Sequence, residues 1–398
     1  MEPLKRFIEY VKIWTTSDEN SGTHPSSERQ KDLSLLLVKE LKELGLNDAF
    51  MDEFGNVYAH LDGEGTRIGF NAHVDTATNI TGKNVKPRVW SNYQGEDLKL
   101  NDEYTLSMKD FPLLKNAIGS DLVTTSGDTL LGADDKAGIA IIMSALEYLK
   151  EHPEIKHHPL SICFTTDEEI GEGPLNFDLK KMNAEYAYSV DGSFPNEVAY
   201  DNFNAAGMLM DITGVAIHPG EGKGKLINAL LLLNEIINAL PKDDTPFDSE
   251  GHQGYWHIES VEGNSEHIKA SFIFRDFDMD LLNKRIQIIQ DKVEEILRKN
   301  PKVKINVNVE NSYYNMKPYV MKRFEIIQKA EEAIKKAGMS PMSLPIRGGT
   351  DGATFSKMGL ITPNLGTGSY NHHGRFEYLV VDEFNKMIEV VKALMIDY

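Results

Sequence analysis

The sequence predicts an α/β fold, in which a mixed sheet is covered by helices and a ferredoxin-like (βαββαβ) α+β domain is inserted into the chain. Short apolar runs typical of buried strands alternate with helical patterns over residues 1–205. The order then changes to strand, helix, strand, strand, helix, strand over residues 206–311. Residues 312–398 return to the first pattern, so we expect them to complete the domain that 1–205 begins.

The first part of the chain contains helix and strand patterns in alternation. The predicted helices, with apolar residues at helical spacing, are 4–14, 26–44 and 136–150. The predicted strands are a hairpin over 47–61 and the single strands 68–72, 129–133, 160–165 and 186–190. The segment 77–120 is irregular, and we expect it to pack on the rest of this domain.

The inserted domain and the end of the chain are predicted in the same way. The predicted strands of the insertion are 207–217, 254–261, 267–274 and 303–309. Its predicted helices are 226–240 and 281–299. The later elements are a helix near 322–337, a strand near 360–366 and a final helix from Asp382.

The composition excludes several kinds of partner. The net charge is −19, from 42 basic and 61 acidic residues, which argues against nucleic acid and anionic membrane surfaces. The single cysteine, Cys163, excludes an internal disulfide framework and is typical of a reducing compartment. The chain has neither an apolar signal region nor an apolar run long enough to cross a bilayer. We therefore expect a cytoplasmic protein, and the sequence leaves a homodimer open.

Acidic residues and histidines follow the ends of the predicted strands. The candidates are His73, Asp134, Glu169, Asp191 and one histidine of the pair His372–His373. Each motif alone is more often a helix cap or a solvated turn, and one carboxylate of the pair Asp134–Asp135 is a natural cap for the following helix. Ligands of open α/β sheets bind beyond the carboxyl ends of the strands, so the shared placement favours convergence on one site.

These candidates have the chemistry of a metal site. Imidazole nitrogen and carboxylate oxygen, without thiolate, suit zinc and also manganese or cobalt. Five such groups exceed the needs of one tetrahedral site, so we expect two metals that share a bridging carboxylate and a water molecule.

Asp75 and the pair Glu168–Glu169 supply the groups that support such a site. Asp75 lies two residues after His73 and on the same side of extended chain, where it can accept from the other imidazole N–H. Adjacent residues of extended chain point apart, so one glutamate can bind metal while the other acts as general base. The spacing alone does not decide which glutamate does which.

Two further motifs have both a structural and a functional interpretation. His218 follows a predicted strand and is either part of a turn or a substrate-contacting histidine on a closing lid. Arg347 opens a glycine-rich turn, which is either a plain loop or a place where the guanidinium holds a carboxylate.

Three motifs resemble the metal-binding motifs of the M20 metallopeptidases. They are NAHVDT at 71–76, GADDKAG at 132–138 and TDEEIG at 166–171. Further matches lie at 189–192, 202–206, 218–220, 274–277, 347–352 and 371–374. The resemblance covers nearly the whole chain. It implies a catalytic domain with an inserted lid domain, and a peptidase that removes the N-terminal residue from tripeptides.

The resemblance also implies a role for each candidate. The ligands of two zinc ions would be His73, Asp134, Glu169, Asp191 and His373. Asp134 would bridge the ions, with a cis peptide bond to Asp135, and His73 and Asp191 would complete the first ion. The other two ligands would complete the second ion, where His373 is preferred to His372 because it directly precedes a glycine.

The remaining roles concern catalysis and substrate binding. Glu168 would be the general base that activates the metal-bridging water, and Asp75 would orient the ligand histidine. His218 would help to stabilise the oxyanion, and Arg275 and Arg347 would bind the small peptide substrate. Manganese or cobalt in place of zinc stays open.

Two other functions stay open. The first is another M20 amidohydrolase, such as a dipeptidase, a carboxypeptidase or an N-deacylase. The second is a catalytically inactive protein that keeps the metals and only binds peptides, although Glu168 argues against it because a pure binder needs no base beside the metal.

Overall fold

The structure is a computed structural model of the chain and describes residues 1–396. The chain forms two compact units. Unit 1 contains residues 1–200, 318–344 and the chain from 350 onwards, and unit 2 contains residues 201–317 and 345–349. The predicted bounds of the inserted domain, 206 and 311, lie inside the first and last strands of unit 2. The predicted domain division itself stays a prediction.

The helices and strands are numbered in chain order. The α-helices are α1 (Pro3–Val11), α2 (Gln30–Glu43), α3 (Ala133–Glu151), α4 (Leu179–Met182), α5 (Ala229–Ile237), α6 (Met279–Lys299), α7 (Lys317–Val320), α8 (Glu325–Lys336), α9 (Asp351–Met358) and α10 (Val381–Ile396). The β-strands are β1 (Phe50–Met51), β2 (Val57–Leu61), β3 (Ile68–His73), β4 (Arg88–Trp90), β5 (Leu98–Lys99), β6 (Thr105–Leu106), β7 (Leu122–Thr124), β8 (Leu160–Thr165), β9 (Tyr186–Gly192), β10 (Val198–Ala199), β11 (Asn204–Thr213), β12 (Tyr255–Gly263), β13 (His267–Asp276), β14 (Lys304–Tyr313), β15 (Asn364–Gly366), β16 (Ser369–Tyr370) and β17 (Tyr378–Val380). Within residues 1–396, no helix has both the length and the apolar character needed to cross a membrane.

The main sheet of unit 1 has seven strands in the order β1-β2-β8-β3-β9-β15-β10. Strands β8, β3, β9 and β15 run parallel, and β1, β2 and β10 pair with their neighbours antiparallel. Every residue of β3 and β8 is buried, and His73 lies opposite Thr165 where both strands end. Helix α3 packs on β3 and β9, and α1 and α10 pack on α3. The predicted mixed sheet with helices is confirmed.

The segment 77–120, which we expected to be irregular, contributes β4 to a second sheet of unit 1 and contains the pair β5 and β6. Strands β16, β17, β7 and β4 pair antiparallel in that order, and β5 pairs with β6. Tyr93, Leu98 and Leu114 pack with Tyr378 in a buried cluster beside these strands. The segment 77–120 therefore packs on the rest as predicted, but its irregularity was predicted wrongly because strands of two or three residues have no readable period.

The strand predicted over residues 129–133 is wrong, because this described segment forms no strand and α3 begins at Ala133. The backbone N–H groups of Leu131 and Gly132 each donate to Glu377 Oε2 at 2.8 Å. Gly132 has a φ of +79°, a left-handed conformation that a strand does not contain. The apolar run is therefore a buried loop held by a carboxylate.

Unit 2 has the predicted order of strand, helix, strand, strand, helix, strand. Its sheet has the order β12-β13-β11-β14, with every pair antiparallel, and this is the βαββαβ arrangement of a ferredoxin-like unit. Met208 and Phe272 of the sheet pack against Ile289 and Val293 of α6. Strand β11 ends at Thr213 rather than at 217, although Gly214 N still donates to Glu266 O, in register with the pairing of Thr213 and His267.

Candidate metal centre

His73 is the last residue of β3 and lies among three carboxylates. Its side chain is only 2% exposed. Its Nε2 atom lies 2.9 Å from Asp134 Oδ1 and 3.4 Å from Asp191 Oδ1. Its Nδ1 atom lies 3.2 Å from Asp75 Oδ1, which is the side that the i, i+2 spacing predicts. One ring nitrogen therefore faces two candidate ligands while the other faces Asp75.

Asp75 also holds the turn after β8. Its buried carboxylate accepts the backbone N–H of Glu168 on Oδ1 and that of Glu169 on Oδ2, each at 3.1 Å. The hydroxyl of Ser17 donates to the same Oδ2. Asp75 thus connects His73, at the end of β3, to Glu168 and Glu169, which follow the neighbouring strand β8.

Asp134 and Asp135 make different contacts at the start of α3. The peptide bond between them is cis, as the family resemblance implies. Asp135 accepts the N–H of Gly138 on Oδ1 at 3.1 Å, which is the predicted cap, and that of His73 on Oδ2 at 3.2 Å. Asp134 faces two histidines instead, with Oδ1 toward His73 and Oδ2 at 3.1 Å from His373 Nε2.

Glu169 and His373 meet from two distant parts of the sequence. Glu169 lies in the short 3-10 helix Glu168–Ile170 after β8, and its Oε2 is 2.9 Å from His373 Nε2. The two glutamates are thus not in extended chain, so our reason for expecting their side chains to point apart was wrong. The neighbour His372 bonds Ser369 Oγ through Nε2 at 2.8 Å, although its Nδ1 lies 3.5 Å from Asp134 Oδ2.

The donor atoms form two overlapping groups. Those of His73, Asp134 and Glu169 lie within 4.8 Å of one another, and so do those of His73, Asp135 and Asp191. Both oxygens of Asp135 already accept backbone N–H groups, whereas those of Asp134 face imidazoles. His73 belongs to both groups, and the geometry favours Asp134 over Asp135 as a metal-binding carboxylate because its oxygens accept no backbone N–H group among the described residues.

Burial and crowding of the carboxylates dominate the electrostatics of the site. Burial and the charge of Asp134 raise the pKa of Glu169 to about 7, and burial raises the pKa values of Glu168 and Asp191. Contacts with Asp134 and Glu169 raise the pKa of His373 to about 11. The buried carboxylates ionise less readily when no cation is near, and the imidazole of His373 keeps its proton more readily. Both effects mean that the site favours added positive charge.

One buried atom tests whether the residues fit a metal. Glu169 Oε1 is buried and accepts no hydrogen bond from the residues that the structure describes. An orphaned buried carboxylate oxygen is unfavourable unless a cation or a donor completes its surroundings. Two imidazoles and three carboxylates are the ligands that zinc, manganese and cobalt accept, so the residues fit a metal site.

The sequence reasoning missed Glu377 and Asp351, two buried acids beside this site. Glu377 precedes β17, and it accepts the N–H of Asp134 on Oε1 at 3.0 Å in addition to the loop bonds described above. Asp351 accepts the hydroxyl of Thr165 at 2.8 Å, and burial raises its pKa to about 7. The available signal for Glu377 was one acidic residue in the apolar stretch 376–380.

The predicted substrate-binding residues His218 and Arg275 lie in unit 2. His218 is exposed at the start of a short 3-10 helix, where its Nδ1 accepts the N–H of Gly220 at 3.2 Å. The guanidinium of Arg275 lies 5.3 Å from the centre of the Tyr313 ring. Their substrate-binding roles stay predictions.

Arg347, the third of these residues, also lies in unit 2. Its Nη1 donates to the carbonyls of Gly251 and Gln253 at 2.8 Å each, and its Nη2 donates to Ser249 Oγ at 2.7 Å. The guanidinium thus holds the loop 249–253 of its own chain, and a role in binding a substrate carboxylate stays a prediction.

Comparison with known proteins decides the family. Residues 130–397 match the model of peptidase family M20/M25/M40. The peptidase T of Bacillus subtilis (strain 168) is 45% identical over 396 residues, which are 98% of this chain and 97% of that protein. The chain belongs to the M20 peptidase family. The peptidase T of Clostridium perfringens (strain 13) agrees, with 44% identity over 391 residues, 97% of this chain and 96% of that protein.

Solved structures of several peptidases share the fold. The aminopeptidase PepT of Bacillus cereus has a TM-score of 0.78 at 21% identity and covers 99% of this chain and 97% of its own. A tripeptidase of Staphylococcus aureus has a TM-score of 0.76 at 20% identity, covering 99% and 96%. A Bacillus subtilis protein described as a dinuclear metal-binding M20 peptidase has a TM-score of 0.66 at 12% identity, covering 98% and 96%. At these identities the likeness shows the fold alone.

Proposed function

We propose that this M20 peptidase removes the N-terminal residue from tripeptides with the help of two zinc ions. The observation that carries the metal part is that the two oxygens of Asp134 face different histidines, His73 at 2.9 Å and His373 at 3.1 Å. A carboxylate with both oxygens directed in this way suits a bridge between two ions. The names of the relatives, peptidase T and tripeptidase, support the choice of substrate.

The side chains divide into two ligand groups on this proposal. The first ion would be bound by His73, Asp191 and Asp134 Oδ1, which lie together at the ends of β3 and β9 and the start of α3. The second would be bound by Glu169, His373 and Asp134 Oδ2. When bound, the two ions would activate a water molecule and polarise the carbonyl of the first peptide bond.

Glu168 is the proposed general base. Asp75 holds its backbone N–H at 3.1 Å with the same carboxylate that holds Glu169, which places the base beside a ligand. The carboxylate of Glu168 would take a proton from the attacking water and deliver it to the amine of the leaving peptide. Asp75 would also keep the imidazole of His73 in one orientation. The proposed substrate-binding residues all lie in unit 2 and are His218, Arg275 and Arg347.

A panel of di-, tri- and tetrapeptides, each with a free or a blocked N-terminus, tests the substrate. We expect release of the first residue from tripeptides with a free N-terminus, and much slower turnover of the blocked forms. Preferred cleavage of dipeptides, release of the C-terminal residue or removal of an N-acyl group would each replace the proposal by another amidohydrolase activity. Absence of turnover from all peptides by metal-loaded protein would favour the inactive peptide-binding alternative.

Metal analysis tests the proposed pair of ions. Protein stripped with a chelator should recover activity with zinc and bind two ions per chain at saturation. Reloading with manganese or cobalt shows whether another metal supports faster turnover. Full activity with only one bound ion would contradict the two-metal proposal. The cytoplasmic location and the homodimer stay predictions, which cell fractionation and sedimentation would check.

A further inference from the structure

Glu377 holds the loop that carries Asp134. Its side chain is buried, with the residue 1% exposed. Its Oε2 accepts the backbone N–H groups of Leu131 and Gly132 at 2.8 Å each, and its Oε1 accepts that of Asp134 at 3.0 Å. Three backbone donors thus converge on one carboxylate that is itself part of a different segment of the chain.

The same segment supplies a ligand of the proposed metal pair. His373 lies four residues before Glu377, in the turn between β16 and β17. The imidazole of His373 contacts Asp134 Oδ2 at 3.1 Å, while Glu377 binds the backbone of the same aspartate. The turn that contains His373 and Glu377 therefore contacts Asp134 at two points. His373 contacts its side chain, and Glu377 accepts its backbone N–H.

Both the charge and the shape of the Glu377 side chain matter for these hydrogen bonds. A carboxylate offers acceptors on both oxygens, whereas a glutamine would turn an NH2 group toward at least one of the three backbone donors. Lys136 lies close enough to interact electrostatically with Glu377 and Asp75, and its buried Nζ donates to Ile13 O at 2.7 Å. A buried cation of this kind compensates part of the negative charge of the two carboxylates.

We propose that Glu377 is a positioning residue of the metal centre. Through the backbone of residues 131–134 it sets the carboxylate of Asp134 between its two histidine partners, and it touches neither metal nor substrate itself. The inference rests on the proposed two-metal function, because it assigns Glu377 to the aspartate that would bridge the ions.

The test is the substitution Glu377→Gln, measured by metal binding and by activity. We expect affinity for zinc to fall about 10–100-fold, the usual effect of replacing a residue that orients a metal ligand. Because all five ligands remain, excess zinc should restore most of kcat, whereas an Asp134→Asn variant should not recover. The visible absorption of Co²⁺-loaded protein should change, since it reports the arrangement of the ligands.

Asp52→Asn is the matched control. Asp52 is also a buried acid of unit 1, and it accepts the backbone N–H groups of Phe54 and Asn56 at 3.0 Å each, in a turn that contains no proposed ligand. This variant should keep the zinc affinity and the cobalt spectrum of the wild type. An equal loss of affinity in both variants would show a general effect of removing a buried carboxylate and would overturn the proposal.

A second substitution keeps the proposal testable if the glutamine variant does not fold. Glu377→Asp keeps the charge but is one methylene shorter, so it cannot reach all three donors and should also weaken zinc binding. Wild-type affinity in whichever variant folds would overturn the proposal. The wild type in the same titration separates the two hypotheses: if it binds two ions and cleaves tripeptides, an unaffected variant refutes only the role of Glu377. A wild type that binds no second ion refutes the proposed function.

Discussion

Asp75→Asn is the substitution for which the structure makes the sharpest quantitative prediction. Each oxygen of Asp75 accepts one backbone N–H of the turn after β8, from Glu168 on Oδ1 and from Glu169 on Oδ2, both at 3.1 Å. Asparagine keeps the size of the side chain but replaces one oxygen with an NH2 group. In either orientation, one of the two glutamates loses its acceptor and faces another donor.

The expected magnitude follows from these contacts. A buried hydrogen bond to a charged group contributes roughly 1.5–3 kcal/mol, so we expect the free energy of unfolding of the metal-free protein to fall by about that amount. Loss of a residue that orients a ligand weakens metal binding about 10–100-fold. That range is about 1.4–2.8 kcal/mol, which agrees with the loss of one such bond at the ligand turn.

The assay has two parts and one control. Zinc affinity is measured by competition with a chromophoric chelator, and stability by urea unfolding of the metal-free protein. Asp52→Asn is the control: this carboxylate is buried and accepts the N–H groups of Phe54 and Asn56 at 3.0 Å each, both on Oδ1. Because one asparagine oxygen can keep both bonds, zinc affinity should be unchanged.

The reasoning would be refuted by wild-type zinc affinity in the Asp75→Asn protein together with a normal unfolding transition. Such a result would mean that the turn after β8 keeps its place without the carboxylate of Asp75. A loss of affinity as large in Asp52→Asn would equally remove the special position given to Asp75.

Three further predictions concern the same unit. Glu168→Gln should lower kcat about 10²–10⁴-fold and leave the zinc content of purified protein unchanged, as steady-state kinetics and metal analysis would show; undiminished turnover would exclude it as the base. Gly138→Ala should destabilise the protein and weaken zinc binding, because a Cβ there would overlap Val190 O and the Asp135 carboxylate, and thermal unfolding with and without zinc checks this. Metal-free protein should become more stable as the pH falls from about 8 toward 5. The folded pKa values of Glu169 and Asp351, each about 7, lie above those of unfolded carboxyl groups, so folding takes up protons in this range. Urea unfolding at several pH values measures this, and a stability that rises with pH would contradict it.

Periodicity predicted the elements whose apolar positions repeat over several turns or strand pairs. The helices and the ferredoxin-like order of unit 2 depend on such repeats, whereas the strands of the mixed sheet, including β3 with His73 at its end, were predicted from short apolar runs. The loop before Asp134 is as apolar as a strand, but its hydrogen-bond partner and the left-handed backbone of Gly132 show that it is not one. That partner, Glu377, lies more than 240 residues away along the chain, so no local pattern could reveal it.

The predicted convergence of the ligands was argued from strand ends, and this argument applies to only part of the site. His73 and Asp191 lie at the ends of β3 and β9, and Glu169 follows β8. Asp134 follows a buried loop, and His373 lies in a turn of the second sheet, where it has a φ of +59°. Their approach depends on long-range contacts that the sequence pattern does not encode.

These long-range contacts share one chemical form. Asp135 accepts the N–H of His73, Asp75 accepts those of Glu168 and Glu169, and a third carboxylate, Glu377, accepts that of Asp134. In each case, the carboxylate lies close in sequence to one proposed ligand and accepts the backbone N–H of a segment that carries another. Buried acids that need not bind metal thus connect the segments of the proposed ligands. Part of the acidity of this site is therefore structural, and substitution of Asp75, Asp135 or Glu377 should weaken metal binding, although less than substitution of a proposed ligand.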